Sequence, residues 1–347
     1  MKKQTTIILI LCILMDVIII QACEKKSVGS QSAGTPIEFK VPQGWPAPIY
    51  DFDKNPLTQE AVTLGRKLFY DGKLSKDGGF PCSGCHQQIA AFSTFDHDLS
   101  HGYGNSHTLR SSPPLQNLAW HNLFTWDGAT ASIEEQCLKH ISHPGEMGES
   151  IENVLNKLRA DNNYPKLFKA AFGDETINPD RLAKALTQFV LTLVSNNSKY
   201  DKVLRHEASF NLAEQTGYDI FKAKCAGCHI EPLFTDLNFR NTGLSLDPYL
   251  KDFGRSRVTL NAADSLKFKV SSLRNAEKTH PYGHDGRFFD LDNILEHYRS
   301  GVVNGPTTDS LVKNKIPLSN YELGQLKAFI YTLTDTSFLN NKQLGPL

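Results

Sequence analysis

Apolar residues recur at helical spacing along most of the chain, and the alternation typical of strands is nearly absent. The pattern predicts helices over residues 57–69, 132–141, 151–158, 179–193, 212–221 and 319–333. Asn178 and Ser319 stand at the start of two of these stretches, where such residues commonly cap a helix. We therefore predict an all-α fold with long connecting loops.

Two of the predicted helices, 57–69 and 212–221, repeat one apolar pattern, and each precedes a similar cysteine motif. A repeat of this kind indicates a duplicated unit. The length of the chain leaves room for two domains, each with a hydrophobic core of its own. We place them at residues 49–208 and 209–347.

The first 22 residues have the form of a bacterial lipoprotein signal peptide. Two lysines precede an apolar stretch over residues 7–20, and Ala22-Cys23 follows as a cleavage site. A retained transmembrane helix is the weaker alternative, because the stretch is shorter than the roughly 20 residues that span a bilayer and Asp16 interrupts it.

Export follows from this interpretation. Cys23 would carry the lipid, and residues 23–48, rich in Ser, Gly, Gln and Pro, are predicted to form a tether. We expect a periplasmic lipoprotein that contacts the membrane only through its anchor.

Charge adds little to this picture. Lys and Arg together number 37, as do Asp and Glu, so no nucleic-acid partner is expected. The sequence leaves open whether the chain forms a homodimer.

The candidate chemistry lies in two Cys-x-x-Cys-His motifs, Cys82 to His86 and Cys225 to His229. This spacing is that of covalent haem c attachment, in which two thiols bind the porphyrin and the histidine binds the iron. A structural disulfide or a zinc site is the alternative, but such a zinc site needs two further ligands at fixed spacing. The motifs predict two haem c groups, with Cys82, Cys85, Cys225 and Cys228 as attachment residues and His86 and His229 as iron ligands.

Methionine, a common second ligand of electron-transfer haems, is scarce. The chain has Met1, Met15 and Met147, and none follows Cys228. The second haem therefore cannot take a methionine from its own domain.

Several further motifs extend the pattern. They are Leu64-Gly65, Phe69-Tyr70-Asp71, Ser112-Pro113, Trp126-Asp127-Gly128, Gln136, Pro144 to Met147, Ser271 to Ala276, Thr279 to Gly286 and Ile294 to Gly301. With these motifs the chain resembles the bacterial di-haem cytochrome c peroxidase and MauG family from Pro56 to Thr334. The resemblance implies two cytochrome c-like domains, each with one haem, and a reaction with hydrogen peroxide at the first haem.

The resemblance also implies a ligand for the second iron. Tyr298 occupies the position that is methionine in the peroxidases and tyrosine in MauG-like proteins. Its neighbour His297 is the rival, and only one of the two can face the metal, because adjacent helical residues point about 100° apart. An open or otherwise filled site remains a third alternative.

Glu146 is the residue that the resemblance places over the first haem, as proton acceptor and donor, with Gln136 beside it. From the residues alone, Glu146 is a solvated loop carboxylate and Gln136 an exposed helical position. Burial near a porphyrin would raise the pKa of Glu146 toward working pH.

Among the loop histidines, which are His97, His101, His107 and His121, His101 best matches the one that caps the first iron in resting peroxidases. His140 stands where MauG-like proteins tend to have proline, as a second proton donor or a polar wall.

Two further sites follow from the resemblance. Trp126 matches a tryptophan that couples the two haems, whereas Trp45 and Trp120 are expected to serve packing. A calcium ion would take backbone carbonyls from Thr279 and Pro281, with Ser111 in place of the usual asparagine.

Three functions are compatible with these observations. The first is a peroxidase that reduces hydrogen peroxide to water with electrons from a small c-type cytochrome or similar donor, entering through the second haem. The second is a MauG-like enzyme that uses peroxide to oxidise a protein or small substrate. The third is a di-haem electron carrier without peroxide turnover, against which Glu146 and Gln136 argue.

Overall fold

The computed structural model describes residues 33–347. The predicted signal peptide and the predicted lipid-bearing Cys23 lie outside the described residues. Between residues 33 and 347, no helix combines the length and apolar character needed to cross a membrane.

Helices and turns dominate the described chain, as predicted. The α-helices are α1 Gln59–Phe69, α2 Cys82–Cys85, α3 Ile133–Ser142, α4 Ile151–Arg159, α5 Tyr164–Phe172, α6 Pro179–Leu191, α7 Lys199–Leu204, α8 Leu212–Lys224, α9 Ser256–Thr259, α10 Leu291–Glu296, α11 Asn320–Tyr331 and α12 Thr336–Leu339. Short 3₁₀ turns lie at Gly72–Leu74, Gln88–Ala90, Tyr103–Asn105, Leu118–Trp120, Ala262–Asp264 and Ala276–Lys278. The strands β1 Phe239–Arg240 and β2 Phe268–Lys269 pair antiparallel, with Phe239 opposite Lys269.

The predicted helix starts at Asn178 and Ser319 are confirmed. Each side chain accepts a hydrogen bond from a backbone N–H three residues later. Ser319 also forms a capping box with Glu322, which satisfies two free donors at once.

The repeated unit is visible as two matching helix pairs. Helix α1 packs on α6 and α8 packs on α11, each through a glycine. A Cβ on Gly65 would lie 1.9 Å from the carbonyl oxygen of Ala185, and one on Gly217 would lie 2.0 Å from that of Gln325. Only glycine allows the backbones to approach so closely.

Two hydrophobic cores lie around these helix pairs, but they do not follow the predicted boundary at residue 208. Tyr200 belongs to the second core, and the chain returns after the second domain so that Phe338 and Leu339 join the first. The guanidinium of Arg66 donates to three backbone carbonyls of this C-terminal segment. A single boundary at residue 208 cannot describe these domains, because the C-terminal segment packs against the first domain.

The predicted tether is wrong for its described part, residues 33–48. Phe39 stacks on Phe52 with ring centroids 4.5 Å apart, and Trp45 packs edge-on against Trp120 at 4.8 Å. Phe39 and Trp45 of this segment therefore pack against the first core, and Trp45 and Trp120 serve packing as expected.

Candidate active site

A cavity of about 610 Å³ lies beside the first cysteine motif. Its wall includes Cys82, Cys85 and His86, together with aliphatic and aromatic side chains. The Nδ1 atom of His121, another wall residue, is buried without a hydrogen-bond partner among the described residues. A mostly apolar cavity with an unsatisfied polar atom in its wall is suited to a large ligand such as a porphyrin.

Both motif histidines are oriented to bind a metal. Nδ1 of His86 lies 2.8 Å from the carbonyl oxygen of Phe92, and Nδ1 of His229 lies 3.1 Å from those of Phe234 and Ser271. Each Nδ1 therefore donates to a backbone carbonyl, which leaves Nε2 with its lone pair for an iron. Burial lowers the pKa of His86 to about 4 and also lowers that of His229, so both rings are neutral at pH 7. The residues present fit haem c in both places.

The motif cysteines are free, so the disulfide alternative does not apply. Among the described residues, no group of three or more His, Cys, Asp or Glu side chains is arranged to hold a metal ion.

Four hydrogen-bonded polar side chains lie at one side of the first cavity, and three of them, Gln136, His140 and Glu146, line its wall. The hydroxyl of Thr130 donates to Oε1 of Gln136 at 2.6 Å, and Nε2 of Gln136 lies 2.8 Å from Nε2 of His140. Nδ1 of His140 faces Oε2 of Glu146 in a short hydrogen bond. Helix α3 sets this arrangement, because Gln136 and His140 are one turn apart and share a face.

The expected rise in the pKa of Glu146 is wrong. Burial does raise it, but the hydrogen bond from His140 and the electrostatic coupling to the imidazoles of His140, His143 and His86 together outweigh burial. The pKa of Glu146 therefore lies below its ordinary value, and the carboxylate is ionised at neutral pH.

The loop that follows the first motif holds the backbone of Glu146. The N–H of Tyr103 donates to the carbonyl oxygen of Glu146 at 2.6 Å, and the hydroxyl of Ser106 donates to that of Gly145 at 3.0 Å. Gly102 lies so close that a Cβ there would be 2.2 Å from the Gly145 oxygen. Glu146 is thus held through its backbone by the loop 102–106 and through its side chain by His140 of helix α3.

His101, the predicted cap of the first iron, lies on the wall of the cavity but is exposed. Its ring lies 4.9 Å from that of His97 and 4.4 Å from that of His107. Its backbone oxygen accepts from the thiol of Cys85 at 3.4 Å. The residue is thus beside the attachment site, and its role as a ligand stays a prediction.

Trp126 also lines the first cavity and lies where the two domains meet. Its indole N–H donates to the backbone oxygen of Ser111 at 2.8 Å, and its own carbonyl accepts from the N–H of Lys269 in strand β2. Arg255 of the second domain donates to the next carbonyl, that of Asp127, at 2.7 Å. The ring is therefore fixed from both sides of the interface.

At the second motif, Tyr298 and His297 have different surroundings. Nε2 of His297 lies 2.9 Å from the carbonyl oxygen of Thr242, and the ring is buried beside Phe288. For Tyr298, burial raises the pKa of the hydroxyl, and the thiols of Cys228 and Cys225 raise it further.

Tyr298 also lies in an irregular part of the backbone. Helix α10 continues into a π-helical turn, His297–Gly301. Such turns are rare and often occur at functional sites, because they redirect side chains within a helix.

At the proposed calcium site, Ser111 is engaged within the protein. Its hydroxyl donates to the carbonyl oxygens of Gly283 and His284, at 3.2 and 3.3 Å. The calcium site at Thr279 and Pro281 stays a prediction.

Sequence reasoning missed two residues at the first cavity, Thr130 behind its wall and Lys269 in the wall itself. Thr130 orients Gln136, and a threonine in a loop carries no motif that would reveal this. Lys269 is a wall residue whose ammonium donates to the Leu123 carbonyl, and burial lowers its pKa to about 8. A single lysine in a two-residue strand belongs to no sequence motif, so Lys269 could not be predicted to line the cavity.

Comparisons with known proteins show which proteins this chain is similar to. A family model described as di-haem cytochrome c peroxidase matches residues 59–209. The methylamine utilization protein MauG of Methylophilus methylotrophus is 35% identical over 308 residues, which cover 85% of this chain and 88% of that protein. The cytochrome c551 peroxidase of Nitrosomonas europaea is 31% identical, covering 80% of this chain and 81% of that protein. A crystal structure of a MauG-like protein associated with microbial copper homeostasis has a TM-score of 0.78 and 32% identity, covering 89% of this chain and 99% of that one.

Proposed function

The chain belongs to the di-haem cytochrome c peroxidase family, which includes the MauG proteins, and we propose that it uses hydrogen peroxide as MauG-like enzymes do, as the oxidant for a second substrate. Members of the family are di-haem oxidoreductases that act on peroxide. The observation that carries the use of peroxide is the position of Glu146, in the wall of the same cavity as Cys82, Cys85 and His86.

The residues of the first cavity divide the work. Cys82 and Cys85 would attach the haem and His86 would hold its iron, while a bound haem supplies a site for peroxide and exchanges electrons. Glu146 is the proton acceptor and donor for peroxide, since a carboxylate within reach can take the first proton and return it to the departing oxygen. The apolar wall excludes bulk water and strengthens these interactions.

Tyr298 favours the MauG-like function over the peroxidase. The hydroxyl of Tyr298 is coupled to the thiols of Cys225 and Cys228, whereas the ring of His297 packs beside Phe288 and donates through Nε2 to the Thr242 carbonyl, so Tyr298 is the better placed of the pair to ligate the iron held by His229. A phenolate is a hard, anionic donor that stabilises oxidised iron. Such a ligand suits an enzyme that stores oxidising equivalents.

Stopped-flow optical spectroscopy tests the proposal. The fully ferric holoenzyme is mixed with one equivalent of hydrogen peroxide, and the experiment is repeated after one-electron reduction. We expect the ferric form to react at once and Glu146→Gln to react far more slowly, because the amide cannot take a proton. A ferric enzyme that does not react, with or without Glu146, would contradict the proposal.

The second candidate is a cytochrome c peroxidase that needs reduction first. The observation in its favour is His101, which lies on the cavity wall close enough to Cys85 to serve as a removable cap. In that case peroxide would react only after one electron is added, and His101→Ala would remove this requirement. The donor would be a small c-type cytochrome or similar protein.

The location of the enzyme is a separate proposal. We propose a periplasmic lipoprotein anchored through Cys23, on the strength of the signal-like sequence before it. The Cys23→Ser variant should lose the lipid and leave the membrane fraction. Retention of Cys23→Ser in the membrane fraction would indicate an uncleaved helix instead.

A further inference from the structure

Both ring nitrogens of His140 are used within the protein. Because the hydroxyl of Thr130 donates to Oε1 of Gln136, the amide N–H of Gln136 must point toward His140. Nε2 of His140 therefore accepts this hydrogen bond. The single proton of a neutral ring then lies on Nδ1, directed at Oε2 of Glu146.

This arrangement leaves His140 without a lone pair for an iron. The rings of His140 and His86 are only 6.4 Å apart, so His140 lies close to where the iron of the first haem would be. Nδ1 carries the proton, and the lone pair of Nε2 is directed at Gln136. His140 is thus placed to act on Glu146 rather than on the metal.

The two oxygens of Glu146 are not equivalent as a result. Oε2 accepts the bond from His140, whereas the nearest basic side chain to Oε1, that of His143, is 3.7 Å away, beyond a hydrogen bond. The other titratable groups whose charges couple to Glu146 are His86, Cys82 and Cys85 of the haem motif.

We propose that His140 is a positioning residue, which holds Oε2 of Glu146 and so makes Oε1 the oxygen that exchanges the proton of peroxide. The inference rests on the proposed function and names a further residue for it. One proton passes from hydrogen peroxide to Oε1 and returns from Oε1 to the oxygen that leaves as water when the O–O bond breaks. Complete reduction to two waters takes two electrons, supplied through the haems from the second substrate, and two more protons from solvent.

His140 keeps its role in both states of the carboxyl group. An ionised Glu146 accepts from Nδ1–H as a carboxylate, and a protonated Glu146 accepts through Oε2 as a carbonyl oxygen. The hydrogen bond is stronger to the charged form, so it favours the state that is ready for peroxide.

Three variants of the holoenzyme test this role. In His140→Leu the donor to Oε2 is lost, whereas in His140→Asn a side-chain amide can replace Nδ1–H. His143→Asn is the matched control, because the side chain of His143 is close to Glu146 but not hydrogen-bonded to it, and the backbone bond from Glu146 N–H to the His143 carbonyl is kept. The rate of reaction with hydrogen peroxide is measured by stopped flow across pH, and the spin state of the ferric haems by electron paramagnetic resonance.

We expect His140→Leu to react at least tenfold more slowly at neutral pH. The pH below which its rate falls should rise by about one unit or more, since the carboxylate loses a bond to its charged form. His140→Asn should recover most of the rate, His143→Asn should shift the profile less, and the spin state should not change in any of them.

The outcomes separate the two proposals. If Glu146→Gln reacts as fast as the native enzyme, the proposed function of Glu146 is wrong. If Glu146→Gln is slow but His140→Leu keeps the native pH profile, only the role of His140 is overturned. A change from low to high spin in His140→Leu would also overturn it, because His140 would then be an iron ligand.

Discussion

Replacing Gly217 with alanine should destabilise the second domain, because α8 and α11 cross at this residue. The added Cβ would lie 2.0 Å from the carbonyl oxygen of Gln325 and 2.9 Å from Cβ of Phe329. An ordinary contact begins at 3.4 Å, so the helices would have to separate by more than 1 Å. Overpacking of this kind costs about 1–3 kcal/mol, with the upper end expected against backbone. The better helix propensity of alanine offsets about 1 kcal/mol.

A net loss of about 2 kcal/mol in the free energy of unfolding is therefore expected. For a domain of this size it lowers the midpoint of thermal unfolding by about 4–8 °C. Gly324→Ala is the matched control, since Gly324 also lies within α11 but a Cβ there would meet no atom within 4 Å. That variant should be stabilised by up to about 1 kcal/mol.

Far-ultraviolet circular dichroism during heating of the holoenzyme measures both variants, with haem content checked first. The reasoning predicts shifts of opposite sign for one and the same chemical change. It would be refuted if both variants were stabilised, because the close crossing of α8 and α11 would then not exist. Gly65→Ala should repeat the loss in the first domain, where a Cβ would meet the oxygen of Ala185 at 1.9 Å.

Three further outcomes are expected. Tyr298→Phe should change the electron paramagnetic resonance spectrum of the second haem, and His297→Gln should not, because the hydroxyl of Tyr298 is the group coupled to Cys225 and Cys228; the reverse result would exchange their roles. Trp126→Phe should slow electron transfer between the haems, seen as delayed oxidation of the second haem after peroxide is added, without changing haem content; an unchanged delay would exclude Trp126 from the path. Arg274→Met should lose about 3–5 kcal/mol of stability in thermal unfolding, because Asp201 is then buried without its partner; a loss below 1 kcal/mol would mean that water reaches the pair.

Much of the fold could be predicted from the sequence because apolar spacing and helix caps are local signals. The helices at 179–193 and 319–333 begin where predicted and end within two residues of the prediction. The tether was mistaken for the opposite reason. Residues 33–48 carry few large apolar side chains, and the burial of Phe39 and Trp45 depends on partners far along the chain.

In the candidate site, too, the features set by local sequence could be predicted, and those set by distant contacts could not. Cys82, Cys85 and His86 are adjacent in sequence and are recognisable without a structure. The pKa of Glu146 could not be predicted, because its direction depends on whether a histidine or only apolar groups face the carboxylate. Composition and spacing do not reveal that His140 lies in hydrogen-bonding contact with it.

The duplication also explains why the two domains meet near Trp126. The turn at 125–128 has its counterpart at 283–286, each with positive φ at its first and last residue, so Trp126 and His284 occupy equivalent positions. Ser111 lies between the two turns, since its carbonyl accepts from the indole of Trp126 and its N–H donates to the carbonyl of His284. The first turn therefore contacts Ser111 through the indole of Trp126, and the second turn contacts it through the backbone carbonyl of His284. The first copy of the turn thus carries an indole and the second an imidazole.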